Sequence, residues 1–167
     1  MSVPSHLDVK TTKHLGQVGG VRVELIGEIL FGPAQVLGGS RLEDHALIRL
    51  SEETFEEKRF CIVRRWMLLD VLLPSDRETA VKAQGMEGTI LYAQQIVFDS
   101  EKSLQPDDYI LSNFQCDFDG CIFESQEMVY ILAGRGARKH VSLPAVEALG
   151  GAGFISGGAQ PFQGTHC

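Results

Sequence analysis

The feature that most constrains this chain is a succession of short strand-like segments with no helical period between them. They lie in the second half of the sequence, at residues 88–98, 109–116, 121–123, 128–133 and 137–143. Two earlier segments, Val21–Leu25 and His45–Leu50, also show patterns typical of strands. A parallel α/β sheet needs a helix between successive strands. We therefore predict an α+β fold, mainly antiparallel β, in which a curled sheet or small barrel carries two or three short helices.

Three segments are predicted to be short helices: residues 51–57, 75–84 and 144–149. In the first, Ser51 would cap the helix, and Glu52 and Glu53 would lie in its first turn, where the macrodipole favours negative charge. In the second, Ser75–Glu78 has the spacing of a capping box. Phe60–Leu72 fits either a buried strand or a buried helix, because a short apolar run does not distinguish the two.

The chain length of 167 residues predicts one compact domain. We place this single globular domain at residues 1–153. Residues 150–167 contain six glycines and no charged side chain. We therefore predict a glycine-rich C-terminal tail over residues 154–167.

The charge of the chain narrows the classes of partner. The formal net charge is −7, whereas a nonspecific nucleic-acid binder needs a basic surface. The most apolar run, residues 60–73, contains charged residues and is too short to span a bilayer. Four cysteines are too few for a disulfide scaffold. We predict a cytoplasmic protein without nucleic-acid or membrane binding, without a cofactor, and compatible with a homo-oligomer.

The negative charge is concentrated between residues 99 and 127, which contain eight acidic residues and one lysine. The first interpretation is a solvated acidic face that keeps the protein in solution. The alternatives are docking of a basic partner or binding of a cation.

One string, Cys116-Asp-Phe-Asp-Gly-Cys-Ile-Phe-Glu-Ser125, resembles the first motif of the haloacid-dehalogenase-type phosphatases. The resemblance implies that Asp117 is a nucleophile, that Asp119 is a general acid, and that both flank a magnesium ion. Cys121 stands where that family prefers threonine. Only 48 residues follow Asp119, too few for the rest of that fold. A β-turn over Asp117–Gly120 explains the same residues by their backbone preferences.

The cysteines raise the possibility of a structural metal site. Cys116 and Cys121 are separated by four residues, with His140, His166 and Cys167 further along the chain. Structural zinc sites have two ligand pairs at short spacing, which this pattern does not match well. We predict two free thiols at Cys116 and Cys121 and no metal ion between them.

A basic run follows the last predicted turn. If residues 134–136 form the turn of a hairpin, their N–H groups create an anion-binding nest. Arg135, Arg138, Lys139 and His140 would then bind phosphate, a nucleotide or an acidic protein segment. The alternative is a solvated hairpin whose bases pair with the acidic segment before it.

Arg64 lies within an apolar run and therefore needs a carboxylate partner if it is buried. Asp70, six residues further along the chain, is the candidate.

These patterns lead to three hypotheses of function. The first is a small acidic binding or accessory protein, without evident catalysis, that acts through a protein partner or a small anionic ligand. The second is a small enzyme with a carboxylate and arginine pocket formed by Asp117, Asp119 and Arg135. The third is a structural metal-binding protein that uses Cys116 and Cys121.

Overall fold

The computed structural model describes residues 9–105 and 107–150, with side chains from residue 20 onward. This part of the chain contains four helices and eight strands. The strands form one strongly curled half-barrel sheet in which most strand pairs are antiparallel. The helices are α1 (Val9–Phe31), α2 (Asp44–Thr54), α3 (Ser75–Ala83) and α4 (Leu143–Gly150). The strands are β1 (Gln35–Gly38), β2 (Phe60–Leu72), β3 (Thr89–Asp99), β4 (Ile110–Leu111), β5 (Gln115–Asp119), β6 (Ile122–Ser125), β7 (Val129–Leu132) and β8 (Arg135–Ser142). The predicted fold class is therefore confirmed. The predicted tail at residues 154–167 lies outside the described residues.

Strand β2 is the centre of the sheet and settles the open question about residues 60–72. It pairs antiparallel with β3 along one side. On the other side its first half pairs parallel with β7, and its second half pairs parallel with β8. The prediction of a hairpin at residues 128–143 is therefore wrong, because β7 and β8 both run alongside β2 and do not fold back on each other.

Gly134 and Gly136 do not form a turn that reverses the chain. They allow two segments of the chain to pass close to each other. Gly134 has a φ of 70°, in the left-handed region that favours glycine. A Cβ atom on Gly136 would lie 2.2 Å from Cδ2 of Trp66. The indole N–H of Trp66 donates a hydrogen bond to the Ala133 carbonyl at 3.2 Å. Glycine is therefore needed at residue 136 so that β8 can cross the ring of Trp66.

Side chains of β2 alternate between the two faces of the sheet, as a strand requires. Cys61, Val63, Trp66 and Leu68 pack into the cluster on the concave face. Val63 and Trp66 share that face although they are three residues apart, because Arg65 interrupts the alternation with a left-handed φ of 51°.

Helices α1, α2 and α4 cover the convex face of the sheet. Leu47 of α2 packs on the outward side chains of the first half of β2, including Phe60 and Ile62. Helices α1 and α4 cover the second half through Ile29 and Val146, which pack in one cluster with Leu69 and Val71. No helix in the described part of the chain is long and apolar enough to cross a membrane.

Two strand predictions near the N-terminus are wrong. Val21–Leu25 belongs to α1, and His45–Leu50 belongs to α2, which continues to Thr54 as a single helix. In α2 the buried residues Leu47 and Ser51 are four positions apart, which is the spacing of one helix face. The helices predicted near residues 75–84 and 144–149 are present as α3 and α4, although Ser75 makes no capping hydrogen bond in α3.

Candidate functional site

The basic run predicted as an anion site is divided between the two faces of β8. Arg138 points to the concave face, where it pairs with Asp70. Lys139 points to the convex face and contacts α1. Arg135 and His140 are exposed, and His140 lies opposite Asp70 in the strand register. The four side chains are therefore not brought together into one site, because successive residues of a strand point in opposite directions.

Asp70 and Arg138 form a bidentate ion pair at the end of the concave face. Nε and Nη2 of Arg138 donate to the two carboxylate oxygens at 2.8 and 2.9 Å. The Thr89 hydroxyl donates a third hydrogen bond at 2.7 Å. Burial opposes ionisation of Asp70, but the hydrogen bonds from Arg138 and Thr89 outweigh it and hold the pKa of Asp70 below its ordinary value. Arg64, for which Asp70 was the predicted partner, donates instead to Asp44 at 2.6 Å.

Lys139 reaches from β8 to the C-terminal end of α1 and caps it. Its ammonium group donates to the carbonyl oxygens of Glu28, Ile29 and Gly32. Only 8% of the residue is exposed, and this burial lowers the pKa of Lys139. The lysine therefore supplies a donor at the C-terminal end of the helix, where Glu28 also accepts from the Gly32 N–H at 3.1 Å, and it complements the negative end of the helix dipole.

Within the described residues, the structure does not assemble a site for the enzyme hypothesis or for the metal-binding hypothesis. Asp117 and Asp119 lie in β5 and are exposed, and no ion pair within the described residues joins either of them to Arg135. Among these residues, no group of three histidine, cysteine, aspartate or glutamate side chains could hold a metal ion.

The hairpin predicted around Asp117–Gly120 is present, with a tighter turn than expected. Asp119 pairs with Ile122, so Gly120 and Cys121 form a two-residue turn in which Gly120 has a φ of 58°. Cys116 and Cys121 are therefore not opposite each other. Cys121 is a free thiol, as predicted, whereas Cys116 is disulfide-bonded, so the prediction of a free thiol at Cys116 is wrong.

A different group of charged residues lines a cleft at the C-terminal end of α2. The cleft has a volume of about 340 Å³ and lies between this helix end and the turn that follows β3. Its charged lining residues are Glu52, Glu56, Glu57, Lys58, Arg59 and Glu101. We call this set, together with Glu53 on the adjoining surface, the acidic cleft.

Aromatic rings form the apolar wall of the acidic cleft. The ring of Phe60 stacks on Phe98 at a centroid distance of 5.7 Å and contacts Phe55 at 6.0 Å. The backbone N–H of Phe60 donates to the Ser100 hydroxyl at 3.0 Å, which joins the two sides of the cleft. The wall is therefore fixed by both ring contacts and hydrogen bonds.

The two cations of the acidic cleft already have partners. Lys58 pairs with Glu124 at 3.1 Å. Arg59 pairs with Glu101 at 3.1 Å and lies 3.9 Å from the buried carboxylate of Asp99.

Asp99 is held by the turn itself. Its carboxylate accepts hydrogen bonds from the N–H groups of Glu101, Ser103 and Leu104. Burial opposes ionisation, but these bonds outweigh it and lower the pKa of Asp99. Asp99 is thus a structural anion, although it belongs to the acidic segment that the sequence singled out.

A protein-family model matches residues 38–148, which is more than half of the chain. The chain belongs to the DUF6957 family. This family is described as a domain of unknown function. No curated protein and no solved structure matches the chain. The match of this DUF6957 member spans all residues of the acidic cleft and excludes α1.

In this DUF6957 member, two glutamates of the acidic cleft lie at the electrostatically unfavourable end of a helix. Glu52 and Glu53 lie in the last turn of α2, which contains no basic residue. The helix dipole places partial negative charge at that end. The sequence prediction put these residues in a first turn, so it inverted the sign of the interaction. The i,i+4 spacing of Leu47 and Ser51 is the signal that would have placed the helix start earlier.

Proposed function

We propose that this chain is a small binding protein that acts through a protein partner and receives a basic segment of that partner in the acidic cleft. One observation carries the proposal. Glu52, Glu53, Glu56 and Glu57 are exposed, and none of them makes an ion pair within the described residues. The last carbonyl groups of α2 add to the same negative potential. A lysine or arginine of a partner would satisfy both.

The aromatic wall supports a protein segment over a simple metal ion. Phe55 and Phe98 are half-buried and leave apolar surface beside the carboxylates. Lysine and arginine have apolar stems that cover such surface while their charged ends remain in water. An arginine can also place its guanidinium over a ring face. A basic segment with apolar residues therefore matches both parts of the acidic cleft.

The basic residues that the sequence suggested for binding a small anion are largely engaged within the fold. Arg138 is neutralised by Asp70, and Lys139 is buried against α1. A protein partner is therefore the favoured form of the binding hypothesis. We retain the cytoplasm as the proposed compartment because Cys61 and Cys121 are free thiols; the disulfide bond of Cys116 weighs against it.

Binding of a fluorescently labelled peptide of alternating arginine and leucine tests the proposal. The E56Q/E57Q variant should bind this peptide more weakly than the unchanged protein, and the difference should shrink at high salt because exposed charges are screened over about 8–10 Å. E78Q is the matched control, since Glu78 is exposed on α3 and pairs with Lys82. Equal affinity of all three proteins at low salt would refute the proposal.

A further inference from the structure

We infer a second recognition surface, at which an extended acidic segment of a protein partner adds to the free edge of β1. The surface consists of β1 and three arginines around its end, Arg41, Arg65 and Arg135, which we call the arginine corner. It lies outside the acidic cleft and has the opposite charge. The inference does not depend on the function proposed for that cleft.

The first observation is the open edge of β1. Within the described residues, β1 pairs with β8 alone, so its other side presents unpaired backbone groups. Edge strands are usually protected by charged residues or proline. The four residues of β1 include neither, and Val36 is 69% exposed.

The second observation is the absence of carboxylate partners for the arginine corner. All three arginines are exposed, and none makes an ion pair with a described residue. The two nearest acidic residues along the chain are already engaged, since Asp44 pairs with Arg64 and Glu43 contacts His45. Three unpaired arginines in a chain of net charge −7 are available for an acidic ligand.

The strand register brings Arg135 to the β1 edge, and Arg41 follows β1 by three residues along the chain. Leu37 and Gly136 face the concave side, so Val36 and Arg135 face the convex side. Arg135 lies opposite Gly38, where an added Cβ would meet no atom within 4 Å. The arginine therefore has an open path across the backbone of β1 toward an added strand, about 4.8 Å further on.

Arg65 faces the same side from the next strand. Met67 and Ala137 are register partners and therefore lie on the same face of the sheet. Arg65 lies two residues before Met67, and Arg135 lies two residues before Ala137, so both arginines are on that face as well. Its left-handed φ of 51° is a conformation that costs free energy for a residue other than glycine. Arg65 is two strands from the edge, so we expect it to act through its field and not by contact.

The geometry specifies the occupant as an extended segment in which an acidic residue lies two positions from an apolar one, so that both side chains are on the same face. Side chains on one face of an added strand recur every second residue. An apolar side chain of this segment would then cover Val36. The acidic side chain two positions away, on the same face, would reach Arg135. Main-chain hydrogen bonds to β1 would supply affinity, as in other cases of strand addition.

The test uses the full chain and a labelled peptide that repeats Val-Thr-Glu-Thr, which places valine and glutamate on one face of an extended strand. R41Q/R135Q should weaken binding about tenfold at low salt, because two exposed ion pairs are lost. R49Q is the matched control, since Arg49 is exposed on α2 and also makes no ion pair with a residue that the structure describes. E56Q/E57Q should not weaken binding of this peptide, which separates the arginine corner from the acidic cleft.

Amide hydrogen exchange locates the peptide without a change in the protein. Saturation with the peptide should slow exchange of the β1 amides, because an added strand engages them in hydrogen bonds. Unchanged affinity in R41Q/R135Q, or protection that appears elsewhere and not in β1, would overturn the inference. Binding without any protection of β1 would do the same.

Discussion

The C-terminal ends of α1 and α2 present the same physical problem and carry opposite charges. At α1, the buried ammonium group of Lys139 donates to three main-chain carbonyls. At α2, the last turn carries Glu52 and Glu53, and Glu56 and Glu57 follow. The negative end of a helix favours cations and disfavours anions. The chain thus supplies the cation at α1 and omits it at α2.

The difference follows the surroundings of the two ends. The end of α1 is packed onto the sheet beside Lys139, where its carbonyls are buried or partly buried and the chain itself supplies their donor. The end of α2 borders an open cleft, where water solvates the carbonyls and carboxylates. A charge arrangement that lowers stability is tolerated at an exposed position, and such positions are frequently functional. The comparison separates a helix end built for stability from one that is available for a ligand.

The largest effect is expected at the end of α1. Lys139→Met keeps most of the side-chain volume but removes the donor, so it should lower the free energy of unfolding by about 2–3 kcal/mol. Urea denaturation followed by far-ultraviolet circular dichroism measures this loss. Lys82→Met on α3 is the control, since Lys82 is exposed and pairs with Glu78. A loss no larger than that of the control would show that Lys139 does not hold the end of α1.

An intermediate effect is expected for a carboxylate that has its cation within the chain. The folded state lowers the pKa of Asp70, so this residue contributes stability above its unfolded pKa of about 3.9, and the contribution is lost as the pH falls through the folded value. Asp70→Asn should therefore lower stability by about 1 kcal/mol at pH 7, a modest value because the pair with Arg138 is partly exposed.

The same variant should also flatten the acid side of the stability curve. As the pH falls below the unfolded pKa of about 3.9, Asp70→Asn should lose less stability than the unchanged protein, because the titrating group is absent. Thermal denaturation at a series of pH values provides the comparison. Parallel curves for the two proteins would mean that Asp70 is not the residue that responds.

The sheet was more predictable from the sequence than the sites were. The succession of strand patterns after residue 88 identified the fold class, and β3, β6 and β7 lie where these patterns placed them, whereas β5 extends to Asp119 through residues predicted as a turn. The pairing of β7 and β8 was not predictable, because Gly134 and Gly136 are equally suited to a turn and to a close approach. Only the position of Trp66 under Gly136 decides between these two roles.

The candidate sites depended on directions that a linear pattern does not contain. Arg138 and Lys139 are neighbours in sequence, but a strand sends them to opposite faces, and each meets a partner from a distant element. Glu52 and Glu53 were recognised as helix residues, but a strand assigned to His45–Leu50 moved the helix start by seven residues. That single shift turned a stabilising charge arrangement into a destabilising one.

The most direct test of the claim that the carboxylates at the end of α2 lower stability and bind a basic segment replaces all four of them in one variant. Stability and binding are then measured on the same protein. E52Q/E53Q/E56Q/E57Q should unfold at a higher temperature, because each of the two anions in the last turn of α2 costs about 0.3–1 kcal/mol. E78Q, in the first turn of α3, should shift the unfolding temperature in the opposite direction. The quadruple variant should at the same time lose affinity for the arginine–leucine peptide. A lower unfolding temperature with unchanged peptide affinity would contradict the account.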